Sequence, residues 1–405
     1  MKNKQAAIGF IFVTLLIDVI GFGIVIPVFP KLLAEIQHIS INEASKYGGF
    51  LLFAFAAAQF LFSPLMGNLS DKFGRRPVLL FSLLGFGIDY LIMAFAPSYA
   101  WLMVGRIIAG ITGASFTTAS AYIADISSPE ERAKNFGMIG AAFGMGFVIG
   151  PFIGGVSSQL GTRFPFYIAA ALSLLNFLYG YFILPESLSK ENRRAFDWKK
   201  ANPVASLIQL SKYKNILGLL IAFIFLALGS HAVQSNWSYF TMFRFKWSEA
   251  MVGYSLALVG VLVGLVQGVL IKYINPKLGN EKSIYLGFGL YALGMFLFGF
   301  ATQSWMMFAF LIPYCLGGIS GPALQAMMAG EVPPTHQGEL QGGLTSLMSA
   351  TTIIGPLLMT STFYYFTKPY APINFAGAPF ILGGILMLVS SLITYWDLHW
   401  RHRAK

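Results

Sequence analysis

The chain has 405 residues, 56% of them hydrophobic and only 11% charged. Soluble domains carry about 25% charged residues, and no soluble fold could hide this much apolar surface. The composition therefore excludes a water-soluble enzyme or binding module and implies an integral membrane protein. The single cysteine, Cys315, excludes an internal disulfide.

A bilayer core needs roughly 20 apolar residues per helix. Segments of that length fall at 6–30, 46–66, 77–96, 99–123, 134–159 and 164–184, then at 213–238, 248–271, 283–302, 305–329, 339–363 and 375–396. The first is too long for a cleaved signal peptide and carries Asp18. Between spans 2 and 3 lies a charged hairpin, Gly67-Asn-Leu-Ser-Asp71-Lys72-Phe-Gly74-Arg75-Arg76-Pro77. Gly67 is expected to admit another helix, Gly74 to make the turn and Pro77 to start span 3. Asp71 and Arg75 are placed to pair with each other and with Asp125, at the end of span 4.

Span 5 holds Gly146-Phe-Val-Ile-Gly150-Pro151-Phe-Ile-Gly154-Gly155. Glycines four apart stack on one helix face and leave a smooth groove. Pro151 removes a backbone donor and predicts a bend whose freed carbonyl a neighbour must cover. The linker that follows, 185–212, is polar and basic, then amphipathic after Asn202-Pro203. Val204, Leu207, Ile208 and Leu210 could lie along the membrane surface.

The second half echoes the first. Gly150-Pro151 recurs as Gly355-Pro356, and Lys72-Phe-Gly74-Arg-Arg has a worn copy in Lys277-Leu-Gly279-Asn-Glu-Lys282. Both echoes share one offset, so the chain reads as two homologous halves of six spans, related by an axis along the membrane normal. The predicted fold is an all-α membrane protein of twelve transmembrane helices in two pseudo-symmetric six-helix bundles. Residues 1–184 and 213–405 form the bundles, and 185–212 is the cytoplasmic linker. Charge orients it. Of the Lys and Arg residues, 20 fall on the side of the termini and the linker, 6 on the other, and Arg106 lies within a span. This positive-inside bias puts both termini in the cytoplasm. It also accounts for the net charge of +11 without a nucleic-acid partner.

A two-half bundle suits alternating access, with a site between repeats. A receptor or scaffold, the reading from another class, would show a large appendage or partner-binding tail, and none is visible. No Gly-x-Ser-x-Gly, phosphate loop or His/Cys/Asp metal cluster suggests an enzyme or a bound metal. Few ionisable groups lie in spans: Asp18, Asp89, Arg106 and His231. Each is costly there and functional by default. Asp18 and Asp89 are read as proton or cation sites, because burial and a nearby arginine act oppositely on a carboxyl's hold on its proton. The competing reading is a static Asp–Arg pair that ties helices together. His231 either titrates near neutral pH or makes an ordinary polar contact. Gln59, Gln234, Gln267, Gln325 and Gln341 could read a polar ligand or act as interhelical glue.

The 67–77 hairpin resembles the span 2–3 motif of the major facilitator superfamily, Gly-x-x-x-Asp-Lys/Arg-x-Gly-Arg-Arg-Pro. Arg106-Ile-Ile-Ala-Gly110-Ile-Thr-Gly113 is similar to the superfamily's proton-coupling arginine motif. The run from Gly146 to Gly155 resembles the motif of its drug–proton antiporters, and Asp18-Val-Ile-Gly-Phe-Gly-Ile-Val-Ile-Pro27 that of the twelve-span drug exporters. Over its whole length the chain is similar to the tetracycline efflux branch. Shared stretches include Asp89-Tyr-Leu91, Ile123-Ala-Asp125, Met251-Val-Gly-Tyr254 and Pro322-Ala-Leu-Gln325.

The resemblance implies a major facilitator fold in a bacterial inner membrane, working as a monomer. It also implies proton-coupled export of tetracycline or a related amphipathic drug, with magnesium travelling bound to the substrate and no resident cofactor. Asp18, Asp89, Arg106 and His231 would couple protons to substrate, and Gln59, Gln325 and Gln341 would line the path. Gly67, Asp71, Gly74, Arg75, Arg76 and Asp125 would form the gating loop, and Gly146, Gly150, Pro151, Gly154 and Gly155 the antiporter helix. Where the branch carries a titratable pair, in spans 8 and 9, this chain has Val263 and Tyr291, leaving His231 and Glu339 as replacements. The alternative cargo is another small solute: a metabolite, a siderophore or a folate-like anion.

Overall fold

The computed structural model describes residues 2–113, 115–128, 131–196, 208, 210, 212–333 and 336–404, without side chains at 2–6, 132–134, 338 and 400–404. Every long apolar run becomes a helix, as expected where backbone groups have no water to bond. The first half gives α1 (Lys2–Gln37), α2 (Ile41–Phe73), α3 (Arg75–Phe95), α4 (Tyr99–Thr112), α5 (Ser115–Ile126), α6 (Arg132–Ser157) and α7 (Phe164–Ile183). The second gives α8 (Leu217–Phe245), α9 (Glu249–Leu265), α10 (Ile271–Phe300), α11 (Ser304–Leu316), α12 (Ser320–Gly330), α13 (Gln337–Thr367) and α14 (Ala378–Ala404). A π-helical turn, Val266–Leu270, joins α9 to α10. The amphipathic segment expected after Asn202-Pro203 lies largely outside the described residues.

Eleven stretches are long and apolar enough to span a bilayer, one of them Glu249–Phe300 at 52 residues. Gly279 interrupts that stretch with non-helical angles, φ 74 and ψ 168. The long stretch is therefore two spans, and the described residues hold twelve. Spans 4 and 10 are each built from two helices: α4 and α5 break at Gly113, α11 and α12 at Gly317–Ile319.

The internal repeat is visible in the backbone. Gly74 (φ 108) and Gly279 (φ 74) occupy corresponding turns, and both have the positive φ that glycine alone adopts without strain. Pro151 lies inside α6 and Pro356 inside α13. Each helix runs unbroken through its proline.

The chain forms two compact units. One comprises Met1–Ser40, Ala54–Pro203 and Trp247–Gly260; the other comprises Ile41–Phe53, Val204–Lys246 and Val261–Lys405. Each unit therefore contains a short stretch from the opposite sequence half. In the first unit, residues 247–260 pack on α6: a Cβ added at Gly155 would lie 3.0 Å from the Cα of both Ala250 and Gly253. In the second unit, Ile41–Phe53 packs on α13, where Asn42 donates its amide to the Thr367 carbonyl at 3.0 Å.

Candidate functional site

In the first unit, α3 and α4 carry the buried charge. Arg106 and Asp89 form an ion pair through Nη2 and Oδ2, and Arg106 Nε donates to Asp89 Oδ1 at 3.2 Å. Both residues are buried, Asp89 completely. Gly105 makes room for the pair, since a Cβ there would sit 2.8 Å from Asp89 Oδ1. The guanidinium also lies 5.6 Å from the Phe55 ring centroid, on α2. The Asp–Arg tie weighed from the sequence is thus present for Asp89. With its charge matched there, Arg106 is no open cradle for an anion.

Asp18 differs. It is 7% exposed, and neither carboxylate oxygen has a hydrogen-bond partner among the described residues. The Ser115 hydroxyl lies beside it. One turn along α1, Tyr90 of α3 packs over Gly21, with its hydroxyl 3.0 Å from where a Cβ would be. A buried carboxylate with no cation beside it must be neutralised by something else, and a proton or a cationic substrate does this.

Gln59 is engaged. Its amide donates to the Gly113 carbonyl at 3.0 Å, where α4 ends and span 4 breaks. It covers a carbonyl that the interrupted helix no longer bonds. Gly110 lets α4 approach the α2 backbone, since a Cβ there would fall 2.5 Å from the Phe55 carbonyl oxygen.

The hairpin between α2 and α3 forms the expected ionic network. Arg75 Nη1 bonds Asp71 Oδ1 at 2.5 Å and Ser70 Oγ at 2.6 Å, while its Nε reaches Asp125 Oδ2 at 3.1 Å. Arg76 donates to the Tyr181 carbonyl at 2.5 Å, at the end of α7. One expectation fails. Gly67 admits no neighbour, because a Cβ added there meets nothing within 4 Å among the described residues. Gly74 does make the turn, and it also makes space for Glu186. Sequence reading missed Glu186. Its carboxylate accepts the backbone N–H of Arg75 at 2.8 Å and of Arg76 at 3.3 Å, capping α3 from a distance. Its position just after span 6, in Leu-Pro-Glu, was the only available signal.

The groove expected on the glycine face of α6 is filled by α1, a partner the sequence did not name. A Cβ at Gly146 would lie 2.6 Å from Val19 Cβ, and one at Gly150 would lie 2.6 Å from the Ile20 carbonyl oxygen. At Gly154 it would lie 2.9 Å from Ile24 Cα. Pro151 Cδ in turn fills the space above Gly23, at 2.7 Å from a built Cβ.

In the second unit, His231 is buried on α8 against the glycine of the repeated Gly355-Pro356. A Cβ at Gly355 would fall 2.6 Å from His231 Cγ and 3.0 Å from its Cβ. Gln325 is half-buried on α12, and Gln341 is exposed on α13. Glu339 stands at the start of α13, where it accepts the Tyr213 hydroxyl at 2.7 Å. That bond pushes the Tyr213 phenol up from its ordinary value. Glu339 is thus a helix-end group and does not occupy the middle of a span. Tyr291 packs on Gly317 and stands edge-on to Tyr314, with centroids 5.2 Å apart.

The family model of the Major Facilitator Superfamily matches residues 11–312 and 219–403. The chain belongs to that superfamily. Among curated relatives, the class C tetracycline resistance protein of Escherichia coli is 42% identical over 389 residues, 96% of each chain. The class H protein of Pasteurella multocida is 33% identical, covering 97% of this chain and 96% of its own. Among solved structures, the human organic anion transporter MFSD10 (TETRAN) superposes with a TM-score of 0.71 at 25% identity, over 96% of this chain and 99% of that one. A D-xylose–proton symporter gives 0.72 at 18% identity, covering 96% and 97%, which speaks to the fold. As a superfamily member the chain is a multi-pass membrane transporter of twelve spans. Its titratable groups are unevenly divided between the two units. The first unit buries Asp18 and the Asp89–Arg106 pair, while the second buries His231 and packs Tyr291 against Tyr314.

Proposed function

We propose that this transporter exports tetracycline or a related amphipathic drug across a bacterial inner membrane in exchange for protons, with both termini in the cytoplasm. The observation that carries this reading is Asp18, a buried carboxylate with no ion-pair partner among the described residues, in a unit where Asp89 and Arg106 are paired with each other. The names of the relatives at 33–42% identity supply the substrate class.

Asp18 is then the exchange site. A proton arriving there neutralises the carboxyl, and a cationic or metal-chelated drug does the same, so the two exclude one another. Each ligand favours the state in which it binds better, and this differential affinity moves the equilibrium. Asp89–Arg106 holds α3 against α4 beside the site and keeps Tyr90 packed on Gly21. The Asp71–Arg75–Asp125 network holds the α2–α3 turn at the cytoplasmic end. A magnesium ion would enter as part of the cargo.

The test is drug uptake into inside-out vesicles under an imposed pH gradient, with susceptibility of an efflux-deficient bacterium as companion. The wild-type chain should transport and protect. Asp18→Asn should abolish pH-driven uptake while leaving the protein folded and abundant. Full gradient-driven uptake by Asp18→Asn removes Asp18 from coupling, and a panel of tetracyclines that never moves removes the substrate.

A further inference from the structure

The first unit contains an ion pair that none of the motifs predicts. Lys31, near the end of α1, bonds Glu249 at the start of α9, with Nζ to Oε1 at 2.7 Å. Glu249 is 8% exposed, and Lys31 keeps about half its side chain in the open. The stretch that follows Glu249 lies on α6 through glycines on both sides. A Cβ at Gly253 would come within 2.9 Å of Gly155 Cα, and one at Gly260 within 2.7 Å of Val148 Cγ2. Such a glycine contact holds by dispersion alone and strands no polar group when it parts.

We propose that Lys31–Glu249 is the latch of this contact. It fastens residues 247–260 to α1 and α6, and it releases whenever the transporter opens at that end. The proposal rests on the export reading, which makes that end the outer face. The chemistry suits a gate used in every cycle. When the segment lifts, both charges pass into water together, so neither is left buried and alone. The latch thus biases the closed arrangement modestly without locking it. The matching contact in the second unit is made by Ile41–Phe53 on α13. There, Asn42 bonds the Thr367 carbonyl and Gly49 packs on Thr360.

The test uses the full-length protein with Cys315→Ser, which removes the only cysteine, and Val252→Cys, a fully buried reporter one turn past the latch. A membrane-impermeant maleimide is added to intact cells. Glu249→Gln and Lys31→Met should each speed labelling about five- to tenfold, as loss of a partly buried pair predicts. The charge reversal Lys31→Glu with Glu249→Lys should bring the rate back to within about twofold of the parent. Singles that label at the parent rate, or a reversal as fast as the singles, would overturn the latch. So would labelling that occurs only in inside-out vesicles, because the pair would then face the other side. If the singles speed labelling, the reversal slows it, and the parent moves no tetracycline, the export reading fails while the latch stands.

Discussion

The two glycine–proline sites, one in each half, began as copies and now perform different tasks. Gly150 and Gly154 on α6 meet backbone: the Ile20 carbonyl, Gly23 and Ile24 of α1. Gly355 on α13 meets a side chain, the buried imidazole of His231. The first site is a seal between two helix backbones, which cannot move aside. The second houses a functional group that can turn. The interiors follow the same division. The first unit buries Asp18 and an Asp89–Arg106 pair. The second packs Trp237 edge-to-face with Phe298 and Phe240 edge-to-face with Phe380, with Phe298 tilted against Phe380 and centroids 4.9–5.8 Å apart. A duplicated scaffold has thus kept its helices and reassigned its chemistry, with ions in one unit and aromatic packing in the other.

The sharpest way to break this contrast is to remove one partner of the deep pair. Arg106→Ala leaves Asp89 charged and fully buried, and should cost about 3–5 kcal/mol of stability, read as a lowered unfolding temperature in detergent. Asp89→Asn with Arg106→Gln should recover most of that loss while transport stays impaired. If the double variant is as unstable as Arg106→Ala, the pair is not what the first unit depends on.

Next in size is the seal. Gly154→Ala drives a methyl into the Ile24 backbone, which has no rotamer to yield, and should destabilise by about 1–3 kcal/mol. It should also slow transport. The second-half copy should respond less. Gly355→Ala pushes on an imidazole, so we expect about 1 kcal/mol, and adding His231→Ala should restore the loss. This pair forms a double-mutant cycle whose coupling energy reports the contact directly. Additive effects of the two substitutions would show that Gly355 and His231 do not share the strain, and the contrast between seal and housing would collapse.

The sequence disclosed the scaffold well because bilayer length, charge bias and a fixed offset are strong, simple signals. Twelve spans, the turn at Gly74 and its echo at Gly279 could all be read from composition and spacing. So could the Asp71–Arg75–Asp125 network, because its residues flank two adjacent turns. Partners far apart in the chain could not be read. Glu186 reaches the start of α3 across more than a hundred residues, and Glu249 meets Lys31 across more than two hundred. Periodicity carries no trace of such contacts. Nor did the residue types say that Gln59 would be engaged by a helix break or that Gly67 would stand open. A polar side chain in a span looks the same whether it reads a ligand or mends a backbone.

Gln59 gives the smallest and most discriminating test of that ambiguity. Its amide covers the Gly113 carbonyl where α4 stops. Interhelical hydrogen bonds in membranes average about 0.6 kcal/mol, so Gln59→Ala should lower stability by only about that much. The consequence for transport separates the two roles. If Gln59 mends the break, Gln59→Ala loosens span 4 for every substrate alike, and Gln59→Glu fails too, because an ionised carboxylate has no donor for Gly113. If Gln59 reads the drug, the affected steps are binding and selectivity. The apparent KM would then shift between tetracycline analogues while thermal stability stays unchanged. A uniform fall in maximal rate, with unchanged selectivity and a small stability loss, assigns this glutamine to the ionic unit's framework. The reading of cargo is then left to other groups.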